Sequence, residues 1–396
     1  MSANSPRPRL AVIGISGYGK VHLQLARECR DRSEADLVAA VVINPEEEAA
    51  NVAELRAKGC EIYADYREML RRHAQGIDLC LIPTGIHWHA RMTIAALQAG
   101  ANVLVEKPLA GGGGDVAAVQ AAELAAGRFV AVGFQDCYDP GTQALAAALR
   151  AGRIGAIRAV RFLGVWPRPR AYFQRNNWAG RLRVEGVDVH DSPLNNAFGH
   201  FVMLSLMFGG ASIDDLRLKS EDAELFRAHA IESFDTGVVT FRTAGGVRYW
   251  FGASHVSAQP IEPEISVEGA NGTAGWRYEN EAWLVDGAGR REAWRVLDQH
   301  ATRRLMILAA LRRLREPDAP ICPTGQASLH TTLIERIHQT APVRPFPPEQ
   351  VEWVGADERS AVPTVAGLTA AMQRAFAAQS SLRAAGFALA TGAIRS

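Results

Sequence analysis

LAVIGISGYGKVHLQLAREC, Leu10 to Cys29, is the stretch on which the fold of this chain turns. Leu10 to Ile13 is a short apolar run, Gly14 to Gly19 is rich in glycine, and from Val21 to Cys29 apolar residues recur at helical spacing. The order is strand, tight turn, helix. Gly14 permits the sharp turn, Gly19 permits close packing of helix on strand, and the amides exposed at the helix start can hold a pyrophosphate. Ser16 stands where the dinucleotide fingerprint has its second glycine, followed by Gly17 and Tyr18. The approach of the main chain to a phosphate is then shifted, or assisted by the serine hydroxyl. A glycine-rich turn without a ligand is the plainer alternative.

Working outward, Leu37 to Ile43 is a second β-branched run, closed by Asn44-Pro45 and followed by the helix-forming EEEAANVAELRAKG. The pattern repeats through Glu61–Tyr63, a helix over Tyr66–Ala74, a strand over Asp78–Ile82, a helix over Ala90–Ala99 and a strand over Asn102–Val105. A helix over Asp115–Ala126 and a strand over Phe129–Gly133 complete it. Such alternation predicts an α/β fold, a Rossmann-type doubly wound parallel sheet spanning residues 1–135. GGGG at Gly111 to Gly114 reads as a flexible turn near the cofactor end of that sheet.

Past this point the period changes. Ile157–Val165 alternates with period two, and Val238–Phe241, Val247–Ala253, Ile265–Glu268, Gly275–Tyr278 and Ala282–Val285 are separated by hairpin-type turns. Helices are expected over Ala144–Ala151, Pro193–Met207, Ala301–Leu314 and Gln326–Gln339. Residues 136–350 therefore read as an α+β domain whose large, mainly antiparallel open sheet serves substrate or subunit contact. Pro342–Pro348 reads as an extended connector. Val362–Ala385 looks helical, so residues 351–396 read as a C-terminal helical segment packing back on the protein.

With 396 residues the chain is long enough for two substantial cores. Lysine plus arginine (43) nearly equals aspartate plus glutamate (42), a balance that argues against nucleic acid or an anionic membrane as partner. Five cysteines (Cys29, Cys60, Cys80, Cys137, Cys322) lack CxxC spacing, so neither a disulfide framework nor a thiolate metal site is expected. No signal-like start and no long apolar run is present, and the expectation is a soluble cytoplasmic protein.

Taken together, GISGYG, the segment DLCLIPTGIHWHARMTIAALQAGANVLVEKPLA (Asp78–Ala110) and VGFQ (Val132–Gln135) resemble the glucose-fructose oxidoreductase, inositol dehydrogenase and rhizopine catabolism family, Gfo/Idh/MocA. The resemblance is specific up to Gln135 and thinner beyond. It implies an oxidoreductase using NAD or NADP on a CH–OH group of a sugar, cyclitol or sugar acid, assembled as a homodimer or homotetramer through the C-terminal sheet. It also implies cofactor contacts at Gly14, Ser16, Gly17, Tyr18, Gly19, Asn44, Thr84, His89, Glu106, Lys107 and Gln135.

Glu106-Lys107-Pro108 looks like the family's EKP motif. Proline disfavours helical geometry at Lys107 and holds it extended at the C-terminal edge of the sheet, where its ammonium can stabilise a developing alkoxide. In NNAFGHF (Asn195–Phe201), His200 occupies what looks like the family's catalytic histidine. Asn196, four residues earlier, is expected on the same helical face. The family pattern has aspartate and glycine where this chain has Asn196 and Phe198, so His200 loses a charge that favours imidazolium unless Asp191 folds back to supply one.

Asn44 replaces the acidic residue that repels a 2′-phosphate, and a turn role before Pro45 explains it equally well; NAD and NADP both stay open. Tyr138 and Trp178 are candidate substrate contacts, Tyr172, Arg170 and Arg175 lower-grade ones, and His87 and His89 fall short of a metal site. Besides the dehydrogenase, two other readings stand: a dinucleotide- or sugar-sensing regulator, and an enzyme using NAD transiently for elimination, epimerisation or glycoside cleavage.

Overall fold

Near-continuous apolar runs become strands buried on both faces, and that burial sets the first unit's architecture. The computed structural model describes residues 6–389; residues 1–5 and 390–396, the outer ends of the first and last predicted segments, lie outside the described residues. β1 (Arg9–Ile13), α1 (Gly19–Asp31), β2 (Asp36–Val41), α2 (Ala49–Ala57), β3 (Glu61–Tyr63) and α3 (Tyr66–Arg72) form one half. β4 (Leu79–Ile82), α4 (Ile86–Gln98), β5 (Asn102–Val105), α5 (Gly113–Ala126) and β6 (Val130–Val132) form the other. All pairings are parallel, in the order β3-β2-β1-β4-β5-β6. This is the doubly wound order whose strand ends bind ligands.

Two helices start earlier than the sequence suggests. α4 begins at Ile86, so His87 and His89 are helical, and α5 begins at Gly113, inside the glycine run. Gly112 caps α5 in extended geometry, which makes the run a helix start.

The chain then forms α6 (Pro140–Arg150), β7 (Ile157–Val165), α7 (Arg170–Phe173), the short pair β8 (Arg183–Val184) and β9 (Val187–Asp188), and α8 (Gly199–Gly209). After these come β10 (Ala223–Arg227), β11 (Thr236–Arg242), β12 (Arg248–Ser254), β13 (Ile261–Gly269), β14 (Gly272–Arg277), β15 (Glu281–Val285) and β16 (Arg291–Arg295). α9 (Gln299–Arg313), α10 (Thr324–Thr340), β17 (Val343–Pro345), β18 (Val351–Val354), β19 (Val362–Val365) and α11 (Leu368–Ala378) close it.

The chain divides into two compact units: the part up to Tyr138 together with Gln299–Ser328, and Asp139–Asp298 with the residues from Leu329 onward. The return of Gln299–Ser328 to the first unit departs from the expected boundaries at 135 and 350. Periodicity identifies a helix over Ala301–Leu314 but not the surface that receives it. Here α9 lies against the 3-10 turn Gln135–Tyr138 and α1. Arg304 reaches Cys29 Sγ at 3.1 Å and pairs with Glu34, and Arg303 Nε donates to Gln135 Oε1 at 3.1 Å.

The second unit is built on a nine-stranded, mostly antiparallel sheet in the order β16-β15-β14-β13-β7-β12-β11-β10-β17. β12 beside β7 and β17 beside β10 are the parallel pairs. The proline connector thus becomes an edge strand, where a missing N–H costs nothing. α8 packs on one face, with Phe201 stacked on Phe162 at 5.8 Å and 5.5 Å from Trp276. On another core, Leu163, Val165, Val238 and Trp250 meet Leu368, Ala371, Met372 and Ala375 of α11, and Trp250 Nε1 donates to the Ser380 carbonyl at 2.8 Å. The C-terminal segment does pack back, but only Leu368–Ala378 is helical; Val362–Val365 pairs as a strand because its β-branched residues suit a pleat.

A half-buried histidine in this unit makes a pH prediction. His338 Nδ1 lies 2.9 Å from the Ile334 carbonyl, which can only accept, so Nδ1 carries the proton and Nε2 accepts from Ser233 Oγ at 2.9 Å. Burial, with His190 stacked at 4.8 Å, pushes the ring down to about 3. The unfolded chain therefore binds a proton below about 6.5 that the folded chain refuses. Unfolding free energy should fall as pH drops from about 6.5 toward about 3. His338→Gln should flatten that slope in denaturant titrations at stepped pH; an unchanged slope would remove His338 as its source.

Candidate active site

The glycine loop has the geometry a phosphate needs. Gly14 sits at φ +91° and its amide donates to the Val41 carbonyl at 3.0 Å. A Cβ at Gly19 would lie 2.5 Å from the Gly14 carbonyl oxygen, so only glycine lets α1 approach β1 this closely. Gly17 is at φ +56° with open space where a side chain would be. Among the described residues, the amides of Ser16, Gly17 and Tyr18 donate to no main-chain carbonyl. Three such amides at a helix start fit the pyrophosphate of a dinucleotide. Thr84, on the loop after β4, borders the same turn: its Cγ2 is 3.6 Å from the Cβ position of Gly14.

Lys107 follows β5, and both of its neighbours are anchored. Glu106 is 4% exposed and accepts a 2.8 Å hydrogen bond from Nε2 of His22 in α1, itself 0% exposed. Its second oxygen takes the Lys107 amide at 3.2 Å. Burial pushes the Glu106 carboxyl up, but the His22 hydrogen bond and charge, with Lys107, outweigh it and hold the group below the ordinary carboxylate range. A Cβ at Gly133 would meet that carboxylate at 2.9 Å, the physical reason for glycine in VGFQ. On the other side, the Pro108 carbonyl lies 2.7 Å from Nδ1 of His89 in α4, whose Nε2 faces the Thr84 carbonyl at 3.0 Å. Lys107 itself is half-buried, and the peptide it forms with Pro108 is cis.

Several residues expected to touch cofactor or substrate are bound up in the protein. Glu106 is spent on His22 and on the main chain, and His89, 1% exposed and kept neutral by burial, lies between two loop carbonyls and donates from Nδ1 to the nearer, that of Pro108. Gln135 is buried under Arg303. Tyr138, expected to touch substrate, turns its hydroxyl inward, donating to the Val132 carbonyl at 3.3 Å and accepting the Cys322 amide at 3.0 Å, and the residue is 6% exposed. His22 and Arg303 were missed by the sequence reading. His22 could have been noticed, since it lies on the buried stripe of α1 with Gly19, Leu23 and Ala26.

In the second unit the predicted helix over Pro193–Met207 begins only at Gly199. Pro193–Phe198 is a run of turns, closed by Phe198 N to the Pro193 carbonyl at 2.8 Å. His200 is therefore the second residue of α8, while Asn196 precedes the helix and shares no helical face with it. The chain does fold back at Asp191: Asn196 Nδ2 donates to Asp191 Oδ1 at 3.0 Å, and Asp191 Oδ2 takes the Gly180 amide at 2.6 Å. A carboxylate absent at position 196 is thus present five residues earlier, hydrogen-bonded to Asn196. Phe198 is explained as well. Its ring would be 2.7 Å from a Cβ at Gly164, so it occupies space that β7 leaves open, and it lies 4.7 Å from Trp166.

Trp178 is half-buried in a turn held by Asn176, with the Arg175 guanidinium 5.2 Å from its ring. The same guanidinium lies 3.6 Å over Tyr172, and Arg170 lies 3.7 Å over Trp353. Among the described residues no group of three or more His, Cys, Asp or Glu side chains could hold a metal ion, and no helix is long and apolar enough to cross a membrane.

Comparison with known proteins bears on the first unit above all. The oxidoreductase family with an NAD-binding Rossmann fold, GFO_IDH_MocA, matches residues 9–134. Inositol 2-dehydrogenase of Pseudomonas syringae pv. syringae (strain B728a) is 35% identical over 148 residues, 37% of this chain and 43% of the relative. That of Klebsiella pneumoniae (strain 342) is 37% identical over 150 residues, with the same coverage of 37% and 43%. The chain therefore spans less than half the length of these relatives.

Among solved structures, an oxidoreductase domain protein from Kribbella flavida superposes with TM-score 0.70 at 19% identity, covering 85% of this chain and 97% of that one. The WlbA dehydrogenase from Bordetella pertussis, in complex with NADH and UDP-GlcNAcA, gives TM-score 0.67 at 24% identity, with 85% and 96% covered. At these identities the likeness is one of fold. The family match runs from the first residue of β1 to just beyond β6, so it is residues 9–134 of this chain that match the NAD-binding Rossmann unit of the Gfo/Idh/MocA oxidoreductase family.

Proposed function

We propose that the protein is an NAD(P)-dependent dehydrogenase or reductase acting on a secondary alcohol or ketone of a cyclitol, sugar or sugar acid. The observation that carries this reading is the double anchoring of Lys107, with His22 gripping Glu106 on one side and His89 gripping Pro108 on the other. A lysine serving only solubility needs no such support; one that must present its ammonium to a reacting oxygen does. The matched relatives are inositol 2-dehydrogenases, which is why a cyclitol heads the substrate class.

In this reading the amides of Ser16, Gly17 and Tyr18 hold the dinucleotide phosphates. Bound nicotinamide supplies the hydride acceptor or donor. Lys107 stabilises negative charge growing on the substrate oxygen, and His200 takes or returns the hydroxyl proton. Asp191, joined to Asn196, supports the catalytic reading over the sensor reading, since it restores a carboxylate to the segment leading into α8.

The test is direct. Purified protein mixed with NAD or NADP and a panel of inositols, sugars and uronic acids should raise the absorbance of reduced nicotinamide with at least one member. Tight dinucleotide binding with silence across the panel, and product formed without net cofactor change, would instead favour the sensor and the transient-NAD readings respectively.

A further inference from the structure

We infer that the loop after β2 makes this dinucleotide site selective against a 2′-phosphate, with Glu47 and Glu48 carrying the charge that Asn44 lacks. The inference rests on the reading of the first unit as a dinucleotide site and names the form of dinucleotide it takes. In such folds the residue just beyond the second strand meets the adenosine ribose, and an acidic side chain there bonds the 2′-hydroxyl and repels a phosphate. Asn44 occupies that place, three residues past the end of β2.

The structure shows what surrounds Asn44. Ser16 Oγ donates to Asn44 Oδ1 at 3.0 Å, which ties this loop to the glycine turn. Asn44 Nδ2 in turn donates to Glu47 Oε2 at 2.7 Å. With its oxygen occupied by Ser16 and its amide by a carboxylate, Asn44 hands the negative charge of Glu47 to the position where the fingerprint wants one.

Glu48 adds a second charge. It is 7% exposed, accepts from Asn51 Nδ2 at 2.6 Å and lies 4.0 Å from the Lys20 ammonium. The Asn51 hydrogen bond, against the cost of burial and helped by the Lys20 ammonium, holds its carboxyl below the ordinary range, so it is ionised at neutral pH.

The opposing cations are few. Residues 41–53 contain no arginine or lysine. Arg27 and Arg30 of α1 are paired with Glu54 at 2.8 and 2.9 Å. Two carboxylates thus stand against the single ammonium of Lys20. A phosphate monoester, at about −1.5 to −2 charge near neutrality, would enter a field of its own sign without the arginine that usually receives it.

The experiment is equilibrium titration of the full chain with NADH and with NADPH, followed by the fluorescence of the reduced nicotinamide and needing no substrate. NADH should bind at least about tenfold more tightly than NADPH at low salt, and the gap should narrow as ionic strength rises. Glu47→Gln, at an exposed position, should strengthen NADPH binding by about threefold or more while NADH changes less; Glu47→Gln with Glu48→Gln should go further. Equal or tighter binding of NADPH by the parent overturns the inference, and so does an unchanged NADH to NADPH ratio in Glu47→Gln. Failure of both dinucleotides to bind overturns it together with the dinucleotide reading, and is told apart by the absence of any titration.

Discussion

Replacing His22 with alanine should destabilise the protein by about 3–5 kcal/mol at neutral pH, because it strips the buried Glu106 carboxylate of its closest partner. The cost is set by what is left behind. Glu106, only 4% exposed, lies just past β5 under Gly133, and the Lys107 amide at 3.2 Å cannot replace a charge-assisted bond at 2.8 Å.

The pH dependence fixes the cause. In the parent the folded Glu106 carboxyl is held low, so its contribution is complete above the unfolded value of about 4.3 and is lost as pH falls through the folded value. In His22→Ala burial is opposed by Lys107 but no longer by the larger His22 contribution, the folded carboxyl rises, and the penalty grows with pH. The two proteins should differ most at neutral pH and converge in acid, and His22→Gln, which keeps a donor, should recover part of the loss. Denaturant midpoints of the three proteins at stepped pH decide it. A gap independent of pH would mean that His22 acts by volume alone.

The second large effect is on chemistry. Lys107→Met should lower turnover by about a hundred- to a thousandfold on whichever substrate the panel reveals, the range found when one donor to a developing oxyanion is removed. Dinucleotide affinity should stay within about threefold of the parent, since Glu106 and Pro108 remain anchored through His22 and His89 and the glycine loop is untouched. Turnover and NADH titration on the same preparation separate the two quantities. Undiminished turnover would take Lys107 out of the mechanism, and loss of NADH binding would recast it as a cofactor ligand.

Much of the first unit was legible in one dimension because its signals are local. Continuous apolar strands, a glycine turn after the first of them and helical periods between them are properties of a few consecutive residues. The alternation pointed to a parallel doubly wound sheet, and the order β3-β2-β1-β4-β5-β6 is one of those that right-handed crossovers allow. The turn of Gly14 to Gly19 was readable for the same reason.

What tertiary structure alone decided are pairings between residues far apart in the chain. Neither His22 nor Glu106 signals its partner, 84 positions away, and nothing in α9 announces that Arg303 will cover Gln135 across 168 residues. The hydroxyl of Tyr138 looked available until the chain brought Cys322 to it. Asn196 looked like a lost charge until the turn at Asp191 restored one. A sequence determines which groups are present and the local geometry they favour. Which buried polar group meets which is settled only when the chain has closed on itself and each desolvated donor and acceptor has had to find a partner.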